Sequence, residues 1–577
     1  MARTLKNSEI AAAFEELATL YELDGAVVYR VLAYRNAAKS IRESGISVAE
    51  MTEQGRAEEL AGIGKTIAEK IAAMTETGSI PAAEKLKARI PPGLVQITRI
   101  PGLGPRRARL LHAELGIDSL EALREAAESQ RLRTVTGFGA KAEEKVLAAL
   151  ADGADGQPRG RTLLSSALAL GEELVEGLRE HDASLRVELA GSARRWAETC
   201  KDLDIVAAAS DPAALVKAFT RLPGIDEVTT SGAAGAKAVT HQGLPVDLRI
   251  VPEESFGNLL QHFTGSARHN EALRTQAVKS GRHVSEYAIA DDESGKTHTC
   301  ASEEEVYELL GMEWVPPELR ENRGELEAAR TGALPELVTL AEIRGDLHSH
   351  TVASDGRNSI EEMAAAARER GYDYLAVTDH SATHGFGNHV TPDELRRQIE
   401  RIRTVDESLE GFHLLAGTET NILPDGSVDY GDDLLAELDW VVASVHTAFR
   451  MGEKEMTDRM VAAIEHPLVD VIAHPTGRLI GRREGYSADM GRVIEAAERT
   501  GTFLEINANP NRRDLDDVYA RAAARAGVKI LIDSDAHGTN TLSNMRFGVA
   551  TARRAWLSAA DVANTRSWAE LRALRPR

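Results

Sequence analysis

The spacing of apolar residues divides the chain into three parts. Up to residue 150, apolar residues recur at helical spacing, as in IAAAFEELATLYEL and IAEKIAAM, and short turns containing Gly separate these stretches. Residues 151–160, ADGADGQPRG, have the composition of a linker. We therefore predict an all-α region at residues 1–150.

The middle part combines helical and strand periodicities. The strand-like runs LRVELAG, LDIVAAA and LPVDLRIV alternate with helical stretches over residues 161–255, which predicts an α+β domain. Residues 256–320 have a mostly helical pattern with a polar break at DDESGK. A charged connector follows at residues 321–340.

After residue 341, short apolar strands alternate with amphipathic helices. The strands are GDLHSH, YLAVTDH, HLLAGTE, WVVASVH, DVIAHP, FLEINAN and KILIDSDAH. Seven such units predict a distorted (βα)7 barrel with a parallel sheet. Nearly every strand ends in His, Asp or Glu, at the end of a barrel where chemistry is usually found.

Composition limits the class of protein. With 577 residues, 43% of them hydrophobic, the chain can bury several cores. Cys200 and Cys300 are the only cysteines, which excludes a disulfide framework and suggests a reducing compartment. The N-terminal segment lacks the apolar core of a signal peptide, and no apolar run approaches the length of a membrane span. We expect a soluble cytoplasmic protein.

The net charge of −22 is unevenly distributed. Residues 1–160 hold 22 Lys+Arg and 22 Asp+Glu, whereas residues 161–340 hold 18 and 30, and residues 341–577 hold 28 and 38. The acidic excess therefore lies outside the N-terminal region, where local basic clusters can still bind phosphates.

Three segments of the N-terminal region share one pattern, in which two glycines flank an apolar residue before a basic helix. They are LAGIGKTIAEKI, RIPGLGPRRARLL and VTGFGAKAEEKVL, with the candidate residues Gly62, Gly64, Lys65, Gly102, Gly104, Gly137 and Gly139. Free amides at a helix start can hold a phosphate. A single match also fits a plain helix–helix turn, but three resemble the helix-hairpin-helix module, which binds the DNA backbone without reading its sequence.

Three aspartates form the candidate chemistry of the middle part. Asp202 and Asp204 are two apart in one strand-like run, so their carboxylates face one side, and Asp247 lies similarly in LPVDLRIV. Three carboxylates on adjacent strands can hold two divalent ions, which activate a hydroxyl and stabilise a leaving phosphate. Taken alone, Asp202 and Asp204 fit a solvated strand face better than a metal site.

The surrounding motifs resemble those of the family X nucleotidyltransferases, DNA polymerase beta among them. GSARRW, then Asp202-x-Asp204, then VDLR, then FTGS appear in the order of that family over residues 1–320. The resemblance implies that the three aspartates bind Mg or Mn and catalyse nucleotidyl transfer. It implies nucleotide binding by Gly191, Ser192, Arg195, Phe263, Gly265, Asn270 and Arg274.

Three positions depart from the family pattern. Lys201 replaces a Gly before the first aspartate, Trp196 replaces a Gly after the paired arginines, and His262 replaces a Tyr before Phe-Thr-Gly-Ser. These departures concern nucleotide selection rather than the metal site.

The first helical segment resembles the small lyase domain of the same family. Lys70 matches its Schiff-base lysine, and Tyr34 and Arg30 match its contacts to a 5′-phosphate. The alternative is that Lys70 is an ordinary solvated lysine on a helix.

The last part of the chain is rich in potential metal ligands. Ten of the 17 histidines lie after residue 341. Nine residues of ligand type stand at or just after strand ends: His348, His350, Asp355, His380, Glu419, His446, His474, Asp535 and His537. A lone His is more often a surface or core residue, but nine in this arrangement indicate a multi-metal site.

Residues 341–577 resemble the PHP (polymerase and histidinol phosphatase) family. The resemblance implies one metal at His348, His350, Glu419 and Asp535, and a second that shares Glu419 and adds His446 and His474. The third would take Asp355, His380 and His537. Imidazole with carboxylate suits Zn, Mn or Fe. His413 and His466 are expected at the surface, and the loop residues His384 and His389 near substrate.

The expected architecture has five domains. They are a lyase-like domain at 1–80, helix-hairpin-helix fingers at 81–150, a palm at 161–255, a thumb at 256–320 and the barrel at 341–577. We expect a monomeric, nucleoid-associated DNA polymerase that uses dNTPs on short gaps in base excision repair. Its barrel would act as a 3′→5′ exonuclease and would cleave abasic sites. Two alternatives stay open: a barrel that hydrolyses small phosphomonoesters, and a DNA-bridging scaffold with a weak palm.

Overall fold

The computed structural model describes residues 5–98, 100, 103–135, 138–151, 161–383 and 388–575. Gly102, Gly137 and His384 of the sequence analysis lie outside the described residues. The chain forms two compact units, the first made of Met1–Thr162, Ser166–Ala190 and Cys200–Phe256, the second of Leu163–Ser165, Gly191–Thr199 and Gly257–Arg577. No helix in the described ranges is long and apolar enough to cross a membrane.

The first unit begins with an all-α region, as predicted. Ile10, Phe14 and Leu17 are fully buried on the first helix and belong to one continuous core with later helices. This spacing places them on a single face. The helices are α1 (Asn7–Leu23), α2 (Val28–Glu43), α3 (Val48–Glu53), α4 (Lys65–Thr77), α5 (Pro81–Lys87), α6 (Pro92–Ile97), α7 (Pro105–Leu115), α8 (Leu120–Glu128) and α9 (Ala140–Ala151).

A five-stranded mixed sheet forms the rest of the first unit. Its strands lie side by side in the order Ser184–Leu189, Leu203–Ala209, Pro245–Val251, Gly235–Thr240 and Ile225–Gly232, and only the second and third of these run parallel to each other. Leu203, Ile205 and Val246 are buried beneath it, which explains the alternating pattern in these runs. The elements of this stretch are β1 (Thr162–Leu163), α10 (Leu164–Arg179), β2 (Ser184–Leu189), α11 (Gly191–Arg194), β3 (Thr199–Cys200), β4 (Leu203–Ala209), α12 (Pro212–Phe219), β5 (Ile225–Gly232), β6 (Gly235–Thr240) and β7 (Pro245–Val251).

The region predicted as a helical thumb also contains a small antiparallel sheet. Its strand order is β10-β9-β8, and the polar break DDESGK forms the turn between β9 and β10. Strands of two or three residues are too short to show a period of two. The elements are α13 (Phe256–Thr264), α14 (Ala267–Lys279), β8 (Arg282–Val284), β9 (Ile289–Asp291), β10 (Thr297–His298), α15 (Glu303–Leu309) and α16 (Glu325–Thr331).

Seven parallel strands in sequence order form the C-terminal sheet. They are β11 (Gly345–Asp346), β12 (Tyr374–Val377), β13 (His413–Asn421), β14 (Trp440–Ser444), β15 (Val471–Ile472), β16 (Phe503–Asn507) and β17 (Ile530–Asp533). A parallel bridge between Ser349 and Ala536, just beyond the first and last strands, nearly closes the sheet. The predicted seven-unit barrel is confirmed.

Helices cover the outside of this barrel, and apolar side chains fill its base. Trp440, Phe503 and Tyr374 are fully buried there. The helices are α17 (Ile360–Glu369), α18 (Pro392–Asp406), α19 (Asp432–Leu435), α20 (Glu453–Ile464), α21 (Met490–Thr500), α22 (Asp517–Ala526), α23 (Met545–Arg554) and α24 (Trp568–Ala573). Because strands buried on both faces carry continuous apolar runs, the fold leaves polar side chains mainly at the strand ends.

Candidate functional site

Glu419 lies at the centre of the polar cluster at the top of the barrel. Its Oε1 is 3.1 Å from His474 Nε2 and 3.3 Å from His446 Nε2. Its Oε2 is 2.8 Å from His380 Nδ1 and 3.3 Å from His348 Nε2. Strand β13 holds Glu419 here, and only 1% of its side chain is exposed. One carboxylate thus faces two groups of imidazoles, as a ligand shared by two ions requires.

The remaining predicted ligands complete the cluster around His350. His350 Nε2 is 3.2 Å from Asp535 Oδ1, and its Nδ1 is 3.9 Å from Asp355 Oδ1. Asp355 also lies 3.7 Å from His380 Nε2 and 3.2 Å from His537 Nε2. The structure therefore brings all nine predicted residues together.

Three subsets of these residues have ligand atoms within 4.8 Å of one another. They are His350 with Asp355, His380 and His537; His348 with His350 and Asp535; and His380 with Glu419 and His446. The grouping differs from the predicted assignment, because His350 joins the group of Asp355 and His380 joins that of Glu419. Glu419 is absent from the group of His348, and His474 is absent from the group of His446. Which ion each residue holds stays a prediction.

Buried ring nitrogens of His348 and His350 indicate that the cluster can hold metal ions. Within the described part of the chain, Nε2 of His348 and both ring nitrogens of His350 are buried and make no hydrogen bond. Burying polar atoms without partners costs free energy, and native proteins rarely leave such atoms unmatched. Imidazole and carboxylate are the ligands of transition-metal sites, so ions would satisfy these atoms.

The ionisation states of Glu419 and His350 agree with a ligand role, whereas neighbouring carboxylates outweigh burial and raise the pKa of His348, His380 and His537. Burial opposes the charge on Glu419, but the surrounding His380, His446 and His348 hold its pKa well below the usual range. Burial lowers the pKa of His350 to about 4, which keeps its ring neutral at pH 7. Neutral imidazole and ionised carboxylate are the forms that bind metals.

Sequence analysis missed the residues that orient these side chains. Glu505 Oε1 lies 2.6 Å from Nδ1 of His348, and its Oε2 accepts the backbone N–H of His474 at 2.6 Å. Asn507 donates to Asp535 Oδ2 at 3.0 Å. Arg512 Nε lies 3.9 Å from the same oxygen. Glu505 had a signal, since it is the acidic residue of the one barrel strand to which no ligand was assigned.

Three further histidines of the described part of the barrel lie outside the cluster. His389 and His413 are exposed, and His466 Nε2 lies 3.3 Å from Asp432 Oδ1. The surface position predicted for His413 agrees with its exposure.

Register places Asp204 beside Asp247 in the five-stranded sheet. These residues are Cα partners in the parallel pair β4–β7. Asp202 lies one residue before β4, and all three side chains are half-buried while Leu203 between them is buried. The alternation puts the three carboxylates on one face, as predicted.

Asp247 already has cationic partners. Its Oδ1 lies 3.0 Å from Arg249 Nε, and its Oδ2 lies 3.3 Å from Lys237 Nζ. Among the described residues, the clusters of three or more closely spaced ligand atoms all belong to the barrel. The role of the three aspartates as metal ligands stays a prediction.

The GSARRW motif forms a tight helical turn in the second unit. Gly191 begins α11 with φ +63°, a conformation that favours glycine. Arg195 donates from Nη1 to the backbone oxygen of Thr264 at 2.8 Å. Arg194 forms a two-point contact with Glu303, at 2.9 and 2.8 Å. Arg195 therefore contacts the last residue of α13, and Arg194 contacts the first residue of α15.

The FTGS turn is held by Asn270. Its side-chain amide donates to the backbone oxygens of His262, at 2.6 Å, and Gly265, at 3.3 Å. A Cβ on Gly265 would lie 2.3 Å from Asn270 Oδ1, so only glycine fits there. Phe263 is half-buried beside His262, with ring centroids 5.7 Å apart, and Arg274 is exposed. Nothing in the structure tests the nucleotide contacts predicted for these residues.

The glycine segments of the first unit share one backbone geometry. Gly64, Gly104 and Gly139 precede α4, α7 and α9, and each accepts hydrogen bonds from the amides three and four residues later. The apolar residue before each glycine is buried. A Cβ on any of the three would meet nothing within 4 Å. Each helix start is therefore open to a ligand such as a phosphate.

The three residues of the predicted lyase group lie close together. Lys70 Nζ is 5.8 Å from the ring centroid of Tyr34, which stacks on Tyr21 at 5.3 Å. The guanidinium of Arg30 lies 5.4 Å from the Tyr21 ring. Lyase activity stays a prediction.

Open helix–glycine turns, a sheet with paired aspartates and a histidine-rich barrel define a metal-dependent enzyme that acts on nucleic acid. Models of known families match in the same order. A helix-hairpin-helix domain matches residues 5–80, a SAM-like helix-hairpin-helix tandem 95–152, the DNA polymerase beta thumb 259–321 and the PHP domain 346–509.

Similarity to one relative extends over almost the whole chain. The chain is 39% identical over 575 residues to the DNA polymerase/3′-5′ exonuclease PolX of Bacillus subtilis, covering 99% of this chain and 100% of that protein. The chain belongs to the family X DNA polymerases that carry a C-terminal PHP domain. The predicted family and fold classes are confirmed.

Shorter relatives match about a third of the chain. A probable phosphatase of Caldanaerobacter subterraneus is 32% identical over 203 residues, which covers 33% of this chain and 75% of that protein. A probable phosphatase of a Thermoanaerobacter species is 29% identical over 231 residues, 38% of this chain and 89% of that protein. Matches of this length are close in size to the barrel.

Proposed function

We propose that the protein fills short gaps in DNA with its polymerase residues and trims 3′ ends with its barrel, as part of base excision repair. Asp202, Asp204 and Asp247 are the proposed ligands of two Mg or Mn ions. Ser192 and Arg195 would contact the triphosphate of the incoming dNTP, and Phe263 and Gly265 its sugar and base. The register of Asp204 with Asp247 supports the metal assignment.

The observation that carries the nuclease assignment is the position of Glu419. Its two oxygens each face a separate pair of imidazoles, and nine ligand-type residues converge on it and on His350. When bound, Zn, Mn or Fe ions would polarise the scissile phosphate and supply hydroxide at neutral pH. Glu505 and Asn507 hold His348 and Asp535 in orientation, so that the ligand side chains need little reorganisation.

DNA is the proposed substrate of both activities. Three glycine turns with open helix starts lie in the same chain, and such turns bind backbone phosphates without reading bases. Lys70, stacked beside Tyr34, would serve cleavage of abasic sites by its amine. Processing of gapped and abasic DNA by one chain requires such sequence-independent binding.

A second candidate for the barrel is hydrolysis of small phosphomonoesters. The relatives named probable phosphatases favour it, because their matched length is close to that of the barrel. The three glycine turns favour a nucleic acid instead. The two activities differ in the substrate, because a phosphodiester carries two ester-linked groups on phosphorus and a phosphomonoester carries one.

The test compares diester and monoester hydrolysis by the full-length protein. Bis-p-nitrophenyl phosphate, p-nitrophenyl phosphate and a 5′-labelled primer on a one-nucleotide gap are offered to wild type, His350→Ala and Asp204→Ala. We expect His350→Ala to lose diester cleavage and primer degradation, and Asp204→Ala to lose only extension. Hydrolysis of the monoester alone would support the phosphatase instead. Extension by Asp204→Ala at the wild-type rate would contradict the polymerase assignment.

A further inference from the structure

Trp196 occupies a backbone conformation that ordinarily suits glycine. Its φ is +54°, and the family pattern has Gly at this position. A bulky residue in this region is strained and persists only where its surroundings hold it. The contacts of Trp196 therefore need to offset that strain.

The barrel supplies those contacts. Arg513 Nη1 donates to the backbone oxygen of Trp196 at 2.9 Å, and the Trp196 ring meets Phe547 edge-on, with centroids 5.8 Å apart. Arg513 is 1% exposed, and its Nε donates to Thr551 at 2.8 Å. The strained residue is thus fixed both at its backbone and at its ring.

One face of α23 carries this support. Phe547, Thr551 and Arg554 are four and three residues apart, so they lie on the same side of the helix. Arg554 donates to the backbone oxygen of Arg195 at 2.8 Å. Two consecutive carbonyls of the GSARRW motif therefore accept hydrogen bonds from guanidinium groups of the barrel region.

The division of the chain agrees with these contacts. Residues Gly191–Thr199 belong to the unit that contains the barrel, although the strands before and after them belong to the other unit. Arg478 contacts Glu198, at the end of the same segment, through a 2.5 Å ion pair. The segment thus contacts the barrel region through three of its residues, Arg195, Trp196 and Glu198.

We propose that Trp196 is a positioning residue that anchors the segment Gly191–Thr199 to the barrel, so that dNTP binding by the polymerase depends on α23 and Arg513. This inference rests on the proposed function, which gives Ser192 and Arg195 of this segment to the triphosphate. The family pattern has a Gly at this position, which leaves the backbone flexible. In this chain the ring of Trp196 contacts Phe547 and holds the backbone in place. The barrel then serves the polymerase reaction as a support besides its own chemistry.

The experiment measures KM and kcat for one dNTP on gapped DNA, using the full-length protein and its variants. Trp196→Gly removes the strain and the ring contact together, and Phe547→Ala removes the ring contact alone. We expect each to raise KM about tenfold, the factor that ~1.4 kcal/mol corresponds to, with kcat changed less than twofold. Trp196→Phe keeps a ring and should restore KM to near the wild-type value.

A double-mutant cycle tests that both residues act through one contact. Trp196→Gly combined with Phe547→Ala should raise KM no more than either change alone, because contacting residues are not additive. Trp568→Ala is the matched control, since Trp568 packs against Tyr374 in the barrel base, at 5.9 Å. Diester hydrolysis by the barrel should be unchanged in all variants, which shows that the barrel is folded.

Arg195→Ala separates the possible failures. If Arg195→Ala raises KM and Phe547→Ala and Trp196→Gly do not, the segment binds nucleotide without support from the barrel, and the inference is overturned. If Arg195→Ala also leaves KM unchanged, the assignment of the segment to the triphosphate falls, and the inference falls with it. If Trp568→Ala raises KM as much as Phe547→Ala does and also lowers kcat, the effect is a general structural one, and a positioning role is overturned.

Discussion

Glu505 Oε1 lies 2.6 Å from Nδ1 of His348, and both side chains are buried in the barrel. Burial raises the pKa of the Glu505 carboxyl, and its contact with His348 acts against that rise. The contact fixes the tautomer of His348, because a proton on Nδ1 leaves Nε2 free to bind a metal.

Glu505→Gln should therefore weaken metal binding without removing a ligand. Residues that orient metal-binding histidines typically contribute about 10- to 100-fold to affinity or activity. We expect nuclease activity to fall by that factor and to be partly recovered by excess metal. Titration of activity against added Mn²⁺ measures this, and an unchanged metal requirement would show that Glu505 does not orient His348.

Glu303 is a buried carboxylate between two arginines. Burial acts against its charge, but Arg320 and Arg194 lower its pKa to about 2, from an ordinary value of 4.5. A depressed carboxyl pKa stabilises the fold above pH 4.5, and this stabilisation is lost as the pH falls toward 2. The shift corresponds to about 3 kcal/mol at neutral pH.

Glu303→Gln should lower the thermal unfolding midpoint strongly at pH 7. Trp314, which donates to Glu303 at 3.3 Å, allows unfolding of this region to be followed by fluorescence. The difference between variant and wild type should shrink as the pH is lowered from 4.5 to about 2. A difference that is constant over this range would mean that the charge of Glu303 contributes nothing.

Gly64 precedes α4 with φ −91°, so its conformation is open to any residue. A Cβ there meets nothing within 4 Å, and the fold should tolerate Gly64→Ala. The added methyl group would, however, keep a phosphate from approaching the free amides of the helix start. We expect the Kd for gapped DNA to rise about tenfold, or ~1.4 kcal/mol.

Gly232→Ala is the matched control for this change. Gly232 ends β5 and also has open space at its Cβ position. Its variant should bind DNA as wild type does. Equal affinities for Gly64→Ala and Gly232→Ala would contradict a role of the first hairpin in DNA binding.

His262 stands where the family has Tyr, beside the half-buried Phe263. Imidazole is smaller than phenol and can form a hydrogen bond with a hydroxyl group, so we expect weak discrimination against ribonucleotides, roughly a hundredfold. His262→Tyr should increase that ratio in single-nucleotide insertion of dNTP and rNTP. An unchanged ratio would mean that the backbone oxygen of His262, which Asn270 holds, excludes the 2′-hydroxyl instead.

Local patterns predicted the candidate ligands that the barrel brings together, because strand ends and residue types coincide. Glu419 and His474 could be recognised in this way, since a parallel barrel brings all strand ends to one rim. Glu505, which contacts His348, was not predicted as part of the site, because no histidine stands at the end of its strand. The contact of Arg513 with Trp196 joins residues 317 positions apart, and periodicity reports only on near neighbours. The short strands of the thumb were missed because two or three residues cannot display an alternation.

We propose that one chain contains two independent centres, one that extends DNA and one that degrades it. The most direct measurement follows extension and degradation of one 5′-labelled gapped DNA by wild type, Asp204→Ala and Glu419→Ala, with metal content determined for each. We predict that Asp204→Ala abolishes extension and retains degradation, because a carboxylate expected to bridge both polymerase ions is lost. Glu419→Ala should abolish degradation, lower the bound metal and retain extension. Loss of both activities in Asp204→Ala, or degradation by Glu419→Ala at the wild-type rate, would contradict the account.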